Sequence, residues 1–187
     1  MHSLKIIITS TREQRAGPAV ARWFVEQAKQ HGKFEVALVD LKEVNLPLLD
    51  EPNHPMKRMY LHEPTKAWSK TVAGADAFVF VTPEYDFGMP PAMLNALDYL
   101  YMEWNYKPAG FVSYGGVSGG TRSVQMAKQV LTSLKVMPIP EAVSIPFFTK
   151  MIDETGRFDP GDSQQKAVAV MLDELLRWST ALAPMRA

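Results

Sequence analysis

Three short stretches carry the residue types that could do chemistry. The first, Ser10-Thr11-Arg12-Glu13-Gln14-Arg15-Ala16-Gly17, places two hydroxyls, two arginines and a glycine ahead of Pro18, where a helix is expected to start. Free backbone N–H groups and the helix dipole favour an anion at such a point. Ser10 and Thr11 can donate to phosphate oxygens, and Arg12 or Arg15 can add a bidentate, charge-assisted contact. No Gly-Lys-Ser/Thr triplet follows, and no Gly-x-Gly-x-x-Gly pattern is present. The second, Thr82-Pro83-Glu84-Tyr85-Asp86-Phe87-Gly88-Met89-Pro90-Pro91, is stiffened by prolines and presents two aromatics. A rigid loop of this kind can aim N–H groups at the carbonyls of a flat heteroaromatic ring while an aromatic edge packs on it. The third, Ser113-Tyr114-Gly115-Gly116-Val117-Ser118-Gly119-Gly120, holds four glycines in six positions, which allows close approach of backbone to a ligand. Each stretch by itself has a plainer reading: a helix cap, a tight turn over the core, a flexible connector.

Their placement depends on the elements around them. Short apolar runs at Leu4 to Thr9, Phe34 to Asp40, Ala77 to Thr82, Ala109 to Ser113 and Val143 to Phe147 predict five strands. Helical spacing predicts helices over Pro18 to Gln30, Thr65 to Ala73, Pro91 to about Met102, Thr121 to Leu134 and Ser163 to Leu182. Gly32 stops the first, while Thr65 is expected to cap the second and Gly74 to follow its end. Strand–helix alternation with buried strands predicts an α/β fold: a flavodoxin-like three-layer α/β/α sandwich on a five-stranded parallel sheet of order 2-1-3-4-5. In that order, ligands sit outside the carboxyl ends of the strands where strand order reverses. The loops after strands one, three and four are the three stretches above. A phosphate grip on the first and a ring platform on the other two suit a phosphorylated flavin better than a bare nucleotide.

Bulk composition narrows the classes. The 187 residues suit one domain over 1–187. Apolar residues make up 47% and charged residues 21%, ordinary values for a soluble globular chain. Twenty basic and twenty acidic residues cancel, which argues against a nucleic-acid binder or a polybasic membrane anchor. No run approaches a membrane span, and the apolar start is too short for a signal-peptide core. With no cysteine, thiolate zinc sites and cysteine nucleophiles are excluded, and a cytoplasmic location is expected. His54 and His62, eight apart, have no metal-ligand spacing, so no metal site is expected. Glu84 and Asp86 have no fixed geometry for paired acid–base work. The proline-rich stretch Leu46 to Pro64 breaks the rhythm and is expected to be a surface loop, packed on itself or against a second subunit, or a functional loop.

At these residues the sequence resembles the NADPH-dependent FMN reductase family, relatives of flavodoxin that include quinone, azo and chromate reductases. Ser10-Thr11-Arg12 with Gly17-Pro18-Ala19-Val20-Ala21-Arg22-Trp23 resembles the family's phosphate loop. Thr82-Pro83-Glu84-Tyr85, with Gly88, Pro90 and Asn95-Ala96-Leu97-Asp98-Tyr99, resembles its ring-binding signature. Ser113 to Arg122 resembles its glycine loop, and the likeness runs from about residue 5 to 160. The resemblance implies that Ser10, Thr11, Arg12 and the backbone of Gly17, Pro18, Ala19 and Val20 hold the FMN phosphate. Pro83, Glu84, Tyr85 and Asp86 would border the isoalloxazine ring, with backbone N–H groups near Glu84 and Tyr85 steadying charge. Ser113, Tyr114, Gly115, Gly116 and Val117 would face its other edge. It implies NADPH or NADH as electron donor and a flavin, quinone or similar small acceptor, with the flavin carrying the chemistry and no side chain acting as acid or base. Arg15 is the candidate contact for a 2′-phosphate. A homodimer or homotetramer is implied, with the helix from Pro91, rich in Met93, Leu94, Leu97, Leu100 and Tyr101, at the interface. Two positions depart from the family: Thr9 stands where glycine is usual, and Asp86 where asparagine is usual. An ionised aspartate cannot donate to a ring carbonyl. A one-electron flavodoxin-like carrier and a flavin-free interaction module on the same fold are the alternative readings.

Overall fold

The apolar runs form five parallel strands in a computed structural model that describes residues 1–186. They are β1 (His2–Ile8), β2 (Phe34–Asp40), β3 (Ala77–Pro83), β4 (Pro108–Gly115) and β5 (Met137–Pro146), in the sheet order β2-β1-β3-β4-β5. The helices are α1 (Gly17–His31), the single turn α2 (Leu41–Val44), α3 (Glu63–Ala73), α4 (Pro91–Asp98), α5 (Thr121–Ser133) and α6 (Asp162–Leu182). The fold is thus the flavodoxin-like sandwich that the alternation predicts.

Alternate side chains along a strand point to opposite faces, and this divides the core into two layers. Leu4, Ile6 and Ile8, with Ala77, Val79 and Val81, meet Val20, Phe24, Met171 and Leu175 of α1 and α6. Ile7, Phe78 and Phe80 face the other way, against Trp68, Met93, Leu97, Val124 and Leu131 of α3, α4 and α5. Every residue of β3 is buried, as a strand covered on both faces requires. The register is continuous across the middle of the sheet, with Ile6 opposite Leu38 on one side and Val79 on the other. Because the strands are parallel, the loops after β1, β3 and β4 open on the same edge of the sheet.

Several boundaries move from those expected. The third helix begins at Glu63 with His62 in the cap position, so Thr65 is a buried residue inside it rather than its cap; Pro64 fits the first turn. The helix from Pro91 stops at Asp98, four residues short of Met102. Its end is set by Trp104, which folds back into the core and donates its indole N–H to the Leu97 carbonyl at 3.2 Å. The fifth strand starts at Met137, six residues before Val143. Pro138 and Pro140 lie in that early part, which an edge strand tolerates because one side has no ladder partner. The long loop is tied down at its near end. Asn95 donates from Nδ2 to the Pro47 carbonyl at 2.7 Å and accepts the Leu49 N–H at 3.0 Å. The Tyr99 hydroxyl donates to the same Pro47 carbonyl at 3.0 Å. At its far end Glu51 accepts the N–H groups of Leu61 and His62, each at 2.9 Å.

Candidate active site

A cleft of about 600 Å³ lies where the three loops meet. Arg12, Gln14, Arg15 and Ala16 line it from the loop after β1; Pro83, Glu84 and Tyr85 from the loop after β3; Tyr114, Gly115 and Gly116 from the end of β4. A fourth wall, Phe148, Thr149 and Ile152, comes from the segment after β5. Nothing in the sequence marked that segment, because Phe147 to Ile152 shows neither periodicity nor a glycine pattern. A continuation of about 530 Å³ runs past Arg12, Glu84 and Tyr85 to Asp86, Met89 and Pro91.

The first loop is built around the start of α1. Ala16 caps this helix without any side-chain hydrogen bond, and Pro18 sits in its first turn. The end of the helix dipole is therefore left for a ligand. Gly17 is demanded by packing: a Cβ there would stand 2.5 Å from Ser10 Oγ and 3.0 Å from the Tyr114 hydroxyl. Tyr114 donates to Ser10 Oγ at 3.3 Å, which joins the loop to β4. Burial raises the Tyr114 phenol far above its ordinary range, outweighing the Ser10 hydrogen bond, so it stays a donor. Arg12 is exposed, its guanidinium 5.9 Å from the centre of the Tyr85 ring. Pro18 and Ala19 are half-buried and Val20 lies wholly in the core; Pro18 has no N–H, and the N–H groups of Ala19 and Val20 donate to the Ala16 carbonyl at 3.0 and 3.2 Å, so the expected backbone grip narrows to Gly17.

Arg15 is not the open phosphate contact that the sequence offered. Its guanidinium forks onto Asp40 at the end of β2, with both N–O distances 2.6 Å, and also donates to the Ser10 carbonyl at 2.5 Å. Only 8% of the side chain is exposed. Arg15 shapes the loop from beneath. Thr11 also departs from the expected grouping: it is exposed and lines a separate depression between α2 and α4.

The second loop is a two-residue hairpin. Tyr85 and Gly88 exchange both backbone hydrogen bonds, at 3.0 and 2.8 Å, and Asp86 and Phe87 between them have φ of 48° and 68°. Two positive φ values are the mark of a type I′ turn, whose first central position favours Asn, Asp or Gly. Asp86 thus stands where the backbone calls for it, with its side chain in solvent. The Tyr85 N–H is engaged inside the hairpin and is not free for a ring carbonyl.

Glu84 does not turn to the cleft as an acid. Its side chain is 6% exposed and faces the start of α5, where it accepts from the Ser118 hydroxyl at 2.9 Å, the Arg122 N–H at 3.1 Å and Arg122 Nε at 2.6 Å. Burial pushes the carboxyl up, but the Arg122 and Ser118 bonds prevail and hold it below the usual range. The Arg122 guanidinium also lies 3.8 Å from the Phe87 ring centre. One arginine therefore braces the hairpin at its entry and at its tip. In the third loop, Ser113 donates to the Gly119 carbonyl at 2.8 Å, so its hydroxyl serves the turn. Gly116 is open, with nothing within 4 Å of an added Cβ, and Val117 is exposed beyond it.

The chain resembles known proteins over this region. Residues 3–150 match the family model for NADPH-dependent FMN reductases. An NAD(P)H-dependent FMN reductase of Schizosaccharomyces pombe is 44% identical over 145 residues, covering 75% of this chain and 72% of that one. One from Saccharomyces cerevisiae is 36% identical, covering 80% and 84%. A quinone reductase of Pseudomonas putida is 26% identical over 95% of each chain. Among solved structures, the flavoenzyme FerB, an NAD(P)H:acceptor oxidoreductase from Paracoccus denitrificans, shares the fold with a TM-score of 0.74 at 20% identity, covering 97% of this chain and 98% of that one. The chain belongs to the NADPH-dependent FMN reductase family, oxidoreductases that use FMN and NAD(P)H.

Proposed function

We propose that the protein passes reducing equivalents from NAD(P)H, through FMN in this cleft, to a small flavin or quinone acceptor. The observation that carries this reading is the uncapped start of α1 opening into a cleft walled by Tyr85 and Phe148. An anionic phosphate suits the first feature and a flat ring the second. The residues fit FMN on these grounds. The unfilled space beside Gly116 leaves room for a ring edge to approach the backbone.

When bound, FMN supplies the hydride chemistry by which a nicotinamide and an acceptor are coupled. The chain supplies position. Arg12 and the Gly17 amide at the start of α1 would hold the phosphate, and Ser10 and Tyr114 keep that loop in place. Tyr85, Gly115 and Gly116 would border the ring, while the Glu84–Arg122 brace fixes the hairpin that carries Tyr85. With Glu84 ion-paired and Tyr114 held protonated, neither serves as a proton-transfer group.

The same reading includes one domain, a cytoplasmic location and self-association. The expected surplus on the helix from Pro91 is mostly internal, since Met93, Leu97 and Leu100 are buried in this chain's own core. The apolar surface that supports self-association lies instead on the long loop, where Met56, Met59 and Leu61 are exposed. No described helix is long and apolar enough to cross a membrane.

The visible spectrum of the protein after loading with FMN and removing the excess tests the proposal. Flavin bands that persist and then bleach on anaerobic NADPH are expected. Bands that persist without bleaching, with NADH also tried, favour the electron carrier; no retained flavin overturns the reading.

A further inference from the structure

Committed to Asp40, Arg15 is not free to meet the 2′-phosphate that distinguishes NADPH from NADH. We propose that the 2′-phosphoadenosine end of NADPH lies in the trough between α2 and α4, with Lys42 as the contact for its 2′-phosphate. This rests on the flavin reading of the main cleft.

The trough lies close to that cleft. The cleft and its continuation share Arg12, Glu84 and Tyr85. The continuation and the trough, of about 450 Å³, are both lined by Pro91. A dinucleotide with its nicotinamide at Tyr85 would run along the first turn of α4 to reach the trough. Among the described residues, the cations lining these three spaces are Arg12, Arg15 and Lys42. Arg15 is buried in its fork, and Arg12 stands at the junction beside the phosphate loop. Lys42 alone lines the far space.

Lys42 is available to an anion. Its carboxylate partner is Glu13, at 2.9 Å, whose side chain is 89% exposed. An exposed pair of this kind is weak and easily exchanged, whereas a phosphate offers a more highly charged acceptor. The nearby Asp40 is held by Arg15 and the Lys42 backbone N–H, so it does not compete for the ammonium. The walls suit a purine. Leu41, Leu46 and Leu48 face Pro91 and Ala92 across the trough, and Leu48 is 82% exposed. The slot is preformed, because Asn95 and Tyr99 pin the backbone at Pro47 and Leu49.

Calorimetric titration with 2′,5′-ADP and with 5′-AMP, which lacks only the 2′-phosphate, tests this without turnover, on the protein as purified. The native chain should bind 2′,5′-ADP about tenfold more tightly, a preference of the size one charge-assisted contact gives. Lys42→Ala should bring the ratio close to one, and Lys42→Arg should keep most of it. An unchanged ratio in Lys42→Ala, or no preference in the native chain, overturns the proposal. Retention of FMN is scored separately, so a failed flavin site and a failed adenosine site give different results.

Discussion

At the residue scale, the site is governed by side chains that hold backbone rather than by side chains that react. Glu84 and Arg122 show this best. Breaking a buried carboxylate's ion pair leaves a charge without its main partner, which is costly. Two bonds to Glu84, from Ser118 and the residue-122 backbone, would survive removal of the arginine side chain. Arg122→Ala is therefore expected to cost roughly 1–3 kcal/mol of stability, and to loosen FMN as the hairpin relaxes. Denaturant unfolding and fluorescence titration with FMN measure the two effects; unchanged values in both would sink the brace. The pH dependence follows from the depressed Glu84 carboxyl. Its folded-state pKa lies below the unfolded value, so its stabilisation is complete above the ordinary carboxyl range and is lost as pH falls through the depressed value. The stability advantage of the native chain over Glu84→Gln should accordingly be full at pH 7 and shrink on acidification below about pH 4.5. The sequence offers Glu84 as a residue bordering a ring, not as the partner of a distant arginine. Its partner is 38 positions away, a pairing that no local spacing rule reveals. Arg15 was misread for the same reason: its partner Asp40 is brought to it only when β2 pairs with β1.

At the scale of elements, the strands and helices were legible because burial imposes periodicity, whereas their ends depended on distant contacts. Phe34 to Asp40 matches β2 residue for residue, and Gly32 closes α1 in a left-handed conformation as its position implies. The early stop of α4 required Trp104 to occupy the Leu97 carbonyl, and the early start of β5 required a free sheet edge for its prolines. The hairpin after β3 is the most informative case. The sequence marks Asp86 as a departure that cannot donate to a ring carbonyl, but the structure gives it a positive φ and an exposed side chain. Backbone geometry, rather than ring chemistry, is then what the position selects. Asp86→Asn should leave the FMN dissociation constant within about twofold, since both residues tolerate the left-handed region. Asp86→Val should weaken FMN by about tenfold or more, because a β-branched residue at positive φ strains the turn by roughly 1–3 kcal/mol. Parallel FMN titrations decide it. A large gain from Asp86→Asn would mean that the carboxylate opposes the flavin after all.

At the scale of the whole molecule, the two ends of the sheet do different work. The carboxyl ends of β1, β3 and β4 carry the cleft. The opposite end carries a polar cluster that anchors the helices behind it. There Arg186 holds Asp76, Glu103 accepts from Tyr60 and Ser69, and the buried Lys107 donates to the Val72 and Ala73 carbonyls at the end of α3, at 2.8 and 3.1 Å. A cation at a helix C-terminus is favourable, but this one lacks water. Burial, reinforced by Arg186 and only partly opposed by Asp76 and Glu103, lowers the Lys107 ammonium to a pKa of about 8. In the unfolded chain the same group titrates near its ordinary value of 10.5. Between those two values the unfolded chain binds the proton more tightly, so the contribution of Lys107 to stability rises with pH. Below pH 8 the charged form is buried at full cost; above 10.5 that cost is gone. Lys107→Met removes the titration along with the two hydrogen bonds. The stability of the native chain relative to Lys107→Met should therefore improve on the order of 1–3 kcal/mol between pH 7 and 10.5, by denaturant unfolding at stepped pH. FMN retention should be the same in both proteins, because the substitution lies at the far end of the strands from the cleft. A flat difference across that range would mean that Lys107 stays charged throughout, and a loss of FMN would mean that the two ends of the sheet are coupled through β4.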